Sequence, residues 1–248
     1  MLTGDALRDR LVEERVAGWV ATPRSNSVDH FRKLADGDPY YELGLDLGGR
    51  WPFDKIVALM ADRCGRPETE WSDDGPDWID PDLTIAGLDR MATVLSRAGG
   101  RRVLFATGHP HGLLGVHLVL VRALRAAGAT ILSVPAGLGQ EQIRIDQLEV
   151  VTMVHSGGSL RHSHSGRWMN LVLDALPEQP ELVVADHGWA GAAGNRGIES
   201  VGFADCNDPA LFAGESEGAV AVAVPLDDGL TFPVYEPLVD YLLARAFG

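Results

Sequence analysis

Apolar residues in the first hundred positions recur every three or four residues, the spacing of helices with one buried face. This periodicity predicts helices over residues 4–20, 53–64 and 82–98. Residues 66–81 carry three prolines and several acids, so we expect a loop there. Residues 22–33 are polar and also predict a loop, in which Ser27 is placed to cap a short helix from Val28. We expect this part of the chain to be helical, with long connections and no strand.

The pattern changes after residue 100, where short apolar runs alternate with helical segments. The runs predict strands over residues 102–107, 130–134, 150–155, 159–162, 181–185, 200–204 and 219–224. Helices are predicted over residues 113–127, 166–176, 209–216 and 235–247, and a hairpin turn at Gly157 and Gly158. This alternation predicts βαβ units and a mainly parallel sheet. The predicted fold class is α/β, with a helical N-terminal cap over residues 1–100 and a Rossmann-like domain over residues 101–248.

Composition narrows the classes of partner. The 248-residue chain carries a formal net charge of −14, which disfavours nucleic acid and anionic membrane surfaces. A small anionic substrate is compatible with this charge, because a bound metal can invert the sign of one site. Cys64 and Cys206 have no metal-binding spacing, and no apolar run reaches the roughly 18 residues of a membrane span. The N-terminus lacks an apolar signal core, so we expect a cytoplasmic protein, and a homo-oligomer is compatible with the sequence.

Polar side chains follow most of the predicted strands. They are Thr107, His109 and His111; His162, Ser163, His164 and Ser165; Asp186 and His187; Asp205, Asn207 and Asp208; and Asp227 and Asp228. Six of the eight histidines lie in or beside these segments. Because the carboxyl ends of parallel strands meet at one edge of a sheet, we expect a single site there. The alternative for any one residue is an ordinary polar surface position in a solvated loop.

Carboxylate and amide oxygens at these strand ends suit a divalent metal ion, with Mg²⁺ or Mn²⁺ expected. The predicted ligands are Asp186, Asp205, Asn207 and Asp208. Asn207 or Asp208 has an alternative use as the cap of a helix that begins at Pro209. Asp205 stands further from that helix, so we expect it to contribute most to metal binding. We also expect Asp186 and Asp205 to follow two neighbouring parallel strands.

Histidines and arginines supply the remaining predicted chemistry. His187 and His109 are the candidates for general acid or base, since imidazole titrates near neutral pH. Arg196 and Arg161 are the candidates for stabilising transferred charge, because a guanidinium can grip phosphate oxygens with two hydrogen bonds. The candidates for substrate binding are Gly108, His111, Gly112, His164, Arg24 and Asn26.

Glycines near the strand ends predict an anion pocket. Gly108 and Gly112 precede the helix predicted from Leu113, whose N-terminal amides attract negative charge. A second pocket of this kind is predicted from Gly188, Gly191 and Gly194. The chain has no G-x-S-x-G elbow, no dinucleotide-binding fingerprint and no P-loop, which disfavours a serine hydrolase and the nucleotide-binding classes with these motifs.

Five segments carry a resemblance. They are Leu104-Phe-Ala-Thr-Gly-His-Pro-His-Gly-Leu-Leu, Leu182-Val-Val-Ala-Asp-His-Gly-Trp-Ala-Gly, Val201-Gly-Phe-Ala-Asp-Cys-Asn-Asp-Pro-Ala-Leu, Ala21-Thr-Pro-Arg and Leu34-Ala-Asp-Gly-Asp-Pro-Tyr-Tyr. They resemble an actinobacterial family described as phosphatases, and the resemblance covers nearly the whole chain. It implies phosphatase activity without naming a substrate. The layout is also similar to that of metal-dependent damage-control phosphatases, although their Asp-Asn-Ala-Gly-Glu signature is missing, so no ligand is carried over from them.

Three functions fit these observations, and we favour the first. It is a metal-dependent phosphatase acting on a small phosphorylated metabolite, in which the metal binds phosphoryl oxygens and lowers the pKa of an attacking water. The second is a non-catalytic protein that binds a nucleotide or sugar phosphate in the same crevice. The third is a phosphosugar isomerase or lyase. In each case we expect the N-terminal part to cover the crevice, with Arg24 and Asn26 near Asp205.

Overall fold

A nine-stranded sheet forms the centre of the protein. The computed structural model describes residues 3–66 and 74–248. The helices are α1 (Gly4–Glu13), α2 (Arg24–Ala35), α3 (Phe53–Cys64), α4 (Pro81–Leu95), α5 (Pro110–Ala126), α6 (Arg167–Ala175), α7 (His187–Asn195), α8 (Pro209–Ser216) and α9 (Glu236–Phe247). The strands are β1 (Gly18–Pro23), β2 (Pro76–Ile79), β3 (Arg102–Ala106), β4 (Thr130–Ile131), β5 (Gly139–Gln140), β6 (Ile143–Leu148), β7 (Val151–Ser156), β8 (Ser159–Arg161), β9 (Leu182–Asp186), β10 (Glu199–Ala204) and β11 (Val222–Pro225). No helix within the described ranges is long and apolar enough to cross a membrane.

The central part of the sheet is parallel. Its order is β11-β10-β9-β3-β7-β6-β5, with β4 also paired to β3 and β8 to β7. The strands from β11 to β7 run parallel to one another, while β5, β6 and β8 are antiparallel to their neighbours. The direction of the chain across the sheet reverses between β3 and β9, and ligands bind at such a switch point in open α/β sheets. The predicted α/β, Rossmann-like class is confirmed.

The inner strands are apolar along their length because helices pack against them. All five residues of β9 are buried, while α7 contacts β9 and β10 and α4 contacts β11. The same hydrophobic core includes Leu7 of α1, Ile56 of α3 and Leu88 of α4. The N-terminal helices therefore share a core with the sheet, and a division into two domains near residue 100 stays a prediction.

The N-terminal part contains two strands, so the prediction of none was wrong. Helix α1 ends at Glu13 rather than near residue 20, and the chain turns through Arg15 and Gly18, both with positive φ. β1 then pairs antiparallel with β2, with Trp19 opposite Trp78. The loop predicted over residues 66–81 is wrong at β2, and residues 67–73 lie outside the described ranges. The pairing joins segments almost sixty residues apart, which helical periodicity does not reveal.

Residues 22–33 are mostly helical, so the predicted loop was also wrong. Helix α2 begins at Arg24, directly after Pro23, and not at Val28. Val28, Phe31 and Leu34 are buried on one face, at helical spacing among polar residues. Packing of this stripe against the core outweighs the weak helix propensity of the Ser- and Asn-rich first turn.

Helix α7 was missed because its sequence is rich in glycine. A Cβ atom added to Gly188 would stand 2.1 Å from the carbonyl oxygen of His164, and one on Gly191 would stand 2.1 Å from that of Leu43. A Cβ on Gly194 would stand 2.4 Å from the Ala219 oxygen. These glycines allow backbones to approach closely, and they lie inside a helix rather than in the predicted anion-binding turn.

The remaining differences concern the edges of elements. The hairpin at Gly157 and Gly158 is confirmed, and both residues have the positive φ that a two-residue turn needs. The strand predicted over residues 130–134 is only β4, and β5 and β6 were missed. Helix α5 begins at Pro110, so His111 and Gly112 lie in its first turn rather than before it.

Candidate active site

A cavity of about 280 Å³ opens where β3, β9 and β10 end. Its lining combines imidazole, carboxylate, amide and phenol groups. The residues are Asn26, His30, Tyr40, Tyr41, His109, His162, His164, His187, Asn207, Asp208 and Asp228. The cavity thus lies at the switch point of the sheet, as the strand-end residues predicted.

Four histidine rings form a ring-shaped cluster on one side of this cavity. The centroids of neighbouring rings are 3.9–4.7 Å apart, and those of opposite rings are 5.7 and 6.2 Å apart. The members are His109, His162, His164 and His187. The β7–β8 hairpin supplies two of them, because β8 returns antiparallel beside β7 and ends next to the end of β3.

His187 stands at the junction of β9 and α7 and is held in place by Asp186. Its φ is 45°, a left-handed conformation that is unfavourable for a residue with a Cβ and is typical of functional positions. Asp186 Oδ1 accepts from Gly108 N at 2.6 Å and lies 2.9 Å from His187 Nδ1, while Oδ2 lies 3.3 Å from His117 Nε2. Burial alone would raise the pKa of Asp186, but hydrogen bonds from His117 and His187 hold it well below its usual range. Asp186 is therefore an ionised anchor behind His187.

Two carboxylates face the other nitrogen of His187. Nε2 lies 2.8 Å from Asp208 Oδ2 and 3.4 Å from Asp228 Oδ2. Asp208 occupies the cap position of α8 but makes no capping hydrogen bond, so the capping alternative does not describe it. Burial would lower the pKa of His187, and the charges of Asp208 and Asp228 outweigh this and raise it well above its usual value. The protonated form of His187 is thus stabilised between these two carboxyl groups.

Four buried atoms at this point have no hydrogen-bond partner of acceptable geometry within the described part of the chain. They are His164 Nδ1, His187 Nε2, Asp208 Oδ2 and Asp228 Oδ2. Burial lowers the pKa of His109 to about 2 and that of His164 to about 3, so both rings are neutral and have a lone pair to share. Two overlapping sets have donor atoms close enough for one metal ion: His109, His162 and His187, and His164, His187 and Asp208. The donor set therefore fits a metal ion.

One wall of the cavity is a hydrogen-bonded ring of three residues. Asn207 Nδ2 donates to Asn26 Oδ1 at 2.6 Å, and Asn26 Nδ2 lies 3.3 Å from His30 Nε2. His30 Nδ1 lies 2.9 Å from the carbonyl oxygen of Asn207, which closes the ring. Tyr40 packs parallel to His164 with the ring centroids 5.2 Å apart, and Tyr41 packs edge-on against His30. Helix α2 thus supplies Asn26 and His30 to the cavity lining, and both side chains are hydrogen-bonded to Asn207 in the loop after β10.

The predicted metal ligands divide into two groups. Asp208 and Asn207 line the cavity, and Asp186 lies directly behind it. Asp205 does not line it: Oδ2 accepts from the Thr22 hydroxyl at 2.5 Å and Oδ1 from Cys206 N at 2.6 Å. The prediction that Asp186 and Asp205 follow neighbouring strands is confirmed, since β9 pairs with β10 and Asp186 stands opposite Phe203. The two carboxylates nevertheless have different partners, because Asp186 contacts His187 of the cavity and Asp205 binds Thr22 and Cys206.

Of the predicted catalytic and binding residues, His109, His187, His164 and Asn26 line the cavity. The others lie elsewhere. Arg24 lies 3.9 Å from Asp77, Arg196 binds Asn170 and Asp174, and Arg161 and His111 are exposed on β8 and α5. Gly108 and Gly112 serve close packing, since a Cβ on either would stand 2.5 Å from a backbone oxygen.

Several lining residues were not selected as site residues from the sequence. Asp228 and His162 follow predicted strands, and this position could have identified both. His30, Tyr40 and Tyr41 come from α2 and the loop after it, and no local pattern connects them with the strand-end residues, the nearest of which is His109, 68 positions beyond Tyr41. Their role depends on how α2 packs across the end of β10.

Comparison with known proteins gives two concordant matches. A family model described as Phosphatase matches residues 2–248. The chain is also 51% identical to Phosphatase SCO2771 of Streptomyces coelicolor, in an alignment that covers 97% of this chain and 95% of that protein.

Proposed function

Because the chain belongs to the family described as Phosphatase, we propose that it is a metal-dependent phosphomonoester hydrolase acting on a small phosphorylated metabolite. The observation that supports a metal ion is the convergence on one cavity of buried atoms that lack a hydrogen bond of acceptable geometry in the described residues, one each from His164, His187, Asp208 and Asp228. Buried polar atoms without partners are costly, and a cation would give all of them a partner at once.

We assign the ion to three histidines and two aspartates. These are His109, His164, His187, Asp208 and Asp228. A divalent ion held there supplies a positive charge for the phosphoryl oxygens and lowers the pKa of an attacking water. The sequence predicted Mg²⁺ or Mn²⁺, and this donor set favours Mn²⁺ because Mg²⁺ prefers oxygen ligands. Zn²⁺ is a further candidate, because imidazole is one of its usual ligands.

The chain's own groups set the orientation of this donor set. Asp186 binds His187 at Nδ1, which directs Nε2 toward Asp208 and Asp228. His117 and the Gly108 amide fix Asp186 in turn. Carboxylates that orient a ligating histidine in this way keep the ring in place and raise its basicity.

Proton transfer is assigned to His162, which as a neutral imidazole would take the proton that the attacking water loses and give a proton to the departing alcohol. It is the one histidine of the cluster that is exposed, so it can exchange protons with solvent. Its ring lies 3.9 Å from that of His109 and 4.7 Å from that of His164, next to the donor set. No arginine or lysine lines the cavity in the described ranges, so an ion held by the donor set would be the positive charge that faces the phosphate.

The test is phosphate release from phenyl phosphate by the full chain. Protein stripped with EDTA should be inactive, and Mn²⁺ or Zn²⁺ should restore activity more fully than Mg²⁺. Asp208→Asn should stay inactive under all of these conditions. Activity that survives complete removal of metal would contradict metal dependence. Tight binding of sugar phosphates without phosphate release would favour the non-catalytic alternative, and conversion to an isomer would favour the isomerase.

A further inference from the structure

Asn26, His30, Asn207 and Tyr41 form a wall of the same cavity as the donor set. It is built from three separate segments: α2, the loop after it, and the loop after β10. Hydrogen bonds of 2.6–3.3 Å tie Asn26, His30 and Asn207 to one another, and Tyr41 packs edge-on against His30, so their positions are fixed before any ligand enters. A preformed wall of this kind binds a ligand without the entropic cost of ordering flexible side chains.

The wall retains hydrogen-bonding capacity after its internal bonds are counted. The amide nitrogens of Asn26 and Asn207 each use one hydrogen within the ring and keep a second. Tyr41 accepts from Lys33 Nζ at 2.9 Å, and this leaves its own hydroxyl proton to donate. Asn207 Oδ1 and the second lone pair of Asn26 Oδ1 can accept. Closely spaced donors and acceptors of this kind match neighbouring hydroxyl groups, each of which both donates and accepts.

Charge and size favour small ligands with a single phosphate group. Of the described residues that line the cavity, none is a lysine or arginine that could bind a second phosphate. Lys33 is nearby, but its ammonium is 2.5 Å from Asp29 and does not line the cavity. The volume of about 280 Å³ suits one phosphate group and a few carbon atoms with their hydroxyls. At the rim the ring of Tyr40 is 48% exposed and presents an apolar face to C–H groups.

We propose that this wall binds the hydroxyl groups of a small polyol or sugar monophosphate whose phosphate faces the histidine and aspartate cluster. The proposal rests on the proposed phosphatase function and names the class of substrate for it. The wall then sets specificity, while the cluster carries out the hydrolysis.

The first test compares kcat/KM of the metal-loaded full chain for five phosphate esters. Glycerol 3-phosphate and glucose 6-phosphate represent polyol and sugar monophosphates, fructose 1,6-bisphosphate carries a second phosphate, and adenosine 5′-monophosphate and phenyl phosphate carry aromatic groups. We expect at least one of the first two to exceed each of the other three by about 10-fold or more. A preference for the nucleotide, the bisphosphate or phenyl phosphate would overturn the proposal.

The second test uses Asn26→Ala, with Asn26→Ser as a smaller change should the first variant fold poorly. Loss of one or two hydrogen bonds to uncharged hydroxyls should lower kcat/KM for the preferred polyol or sugar ester by about 10-fold more than for phenyl phosphate, mainly through KM. Ser25→Ala is the matched control, because Ser25 is exposed in the same turn of α2 and does not line the cavity.

The outcomes separate the two proposals. An equal loss for all esters in the Asn26 variants would overturn the role of the wall and leave the phosphatase function standing. Failure of metal-loaded wild type to release phosphate from any ester, phenyl phosphate included, would overturn the proposed function and the substrate class together.

Discussion

Two pairs of buried carboxylates lie at the same edge of the sheet, and they differ in what their oxygens contact. In the bonded pair, Asp205 accepts from Thr22 and Cys206 N, and Asp227 accepts from the backbone amides of Ala21 and Gly229. In the open pair, Asp208 and Asp228 each have an oxygen with no hydrogen-bond partner of acceptable geometry in the described residues. Only the open pair lines the cavity.

The difference separates a structural use of buried carboxyl groups from a chemical one. The bonded pair fastens β1 to the ends of β10 and β11, because its partners Ala21 and Thr22 belong to β1. In the part of the chain that the structure describes, the open pair forms its ion pairs with imidazoles of the cluster. A carboxylate at a strand end is thus a candidate metal ligand when one of its buried oxygens lacks a hydrogen bond. Its position at the strand end is not enough to identify it as a ligand.

The largest loss of turnover is expected on substitution of His162, which lies beside the open pair but is not one of the assigned metal ligands. Loss of a proton-transfer group typically lowers turnover by 10²–10⁴-fold, so His162→Ala should lower kcat by about 100-fold or more. The variant should keep its metal, since the assigned donor set is intact. His111→Ala is the control, because His111 is exposed and outside the cavity, and it should match the wild type. Loss of the metal in His162→Ala would make His162 a ligand with His109 and His187 instead.

A smaller effect is expected at Asp186, which acts through His187. Asp186→Asn should weaken metal binding by about 10–100-fold, the range for groups that orient a ligand. Excess metal should restore much of the activity, which would distinguish positioning from direct participation. Asp174→Asn, at an exposed ion pair with Arg196, serves as the control. Unchanged metal affinity in folded Asp186→Asn would contradict the orienting role.

The sequence predicted where the cavity lies better than it predicted which side chains line it. The apolar runs of β9 and β10 are readable because buried parallel strands are nearly continuous in apolar residues, and they placed Asp186 and Asp205 on adjacent strands. The sequence could not show which carboxylate lines the cavity. Asp205 instead accepts a hydrogen bond from Thr22, which lies 183 positions earlier in the chain. Helix α7 was missed for a similar reason: close backbone contacts from Leu43 and His164 require its glycines, and local propensity opposes them.

The smallest expected effect concerns the bonded pair and pH. Burial, and then the charge of Asp227, raises the pKa of Asp205 from 3.8 to about 7 in the folded protein. Between these values the unfolded chain loses this proton and the folded protein keeps it, so the free energy of unfolding falls as the pH rises toward 7 and then levels off. In EDTA, the melting temperature of the wild type should fall by a few degrees more between pH 5 and pH 8 than that of Asp205→Asn. Equal falls would contradict this assignment.

The most direct test of the central claim is calorimetric metal titration of Asp208→Asn beside Asp205→Asn. Both changes remove one buried carboxylate from the same loop after β10, and circular dichroism can confirm that both variants are folded. We expect the open pair to bind the metal. Asp208→Asn should therefore bind Mn²⁺ or Zn²⁺ at least about 100-fold more weakly than the wild type. This loss exceeds the 10–100-fold range that is typical of a group that only orients a ligand. Asp205→Asn should bind within about 3-fold of the wild type. Wild-type affinity in Asp208→Asn, or a larger loss in Asp205→Asn, would contradict the account.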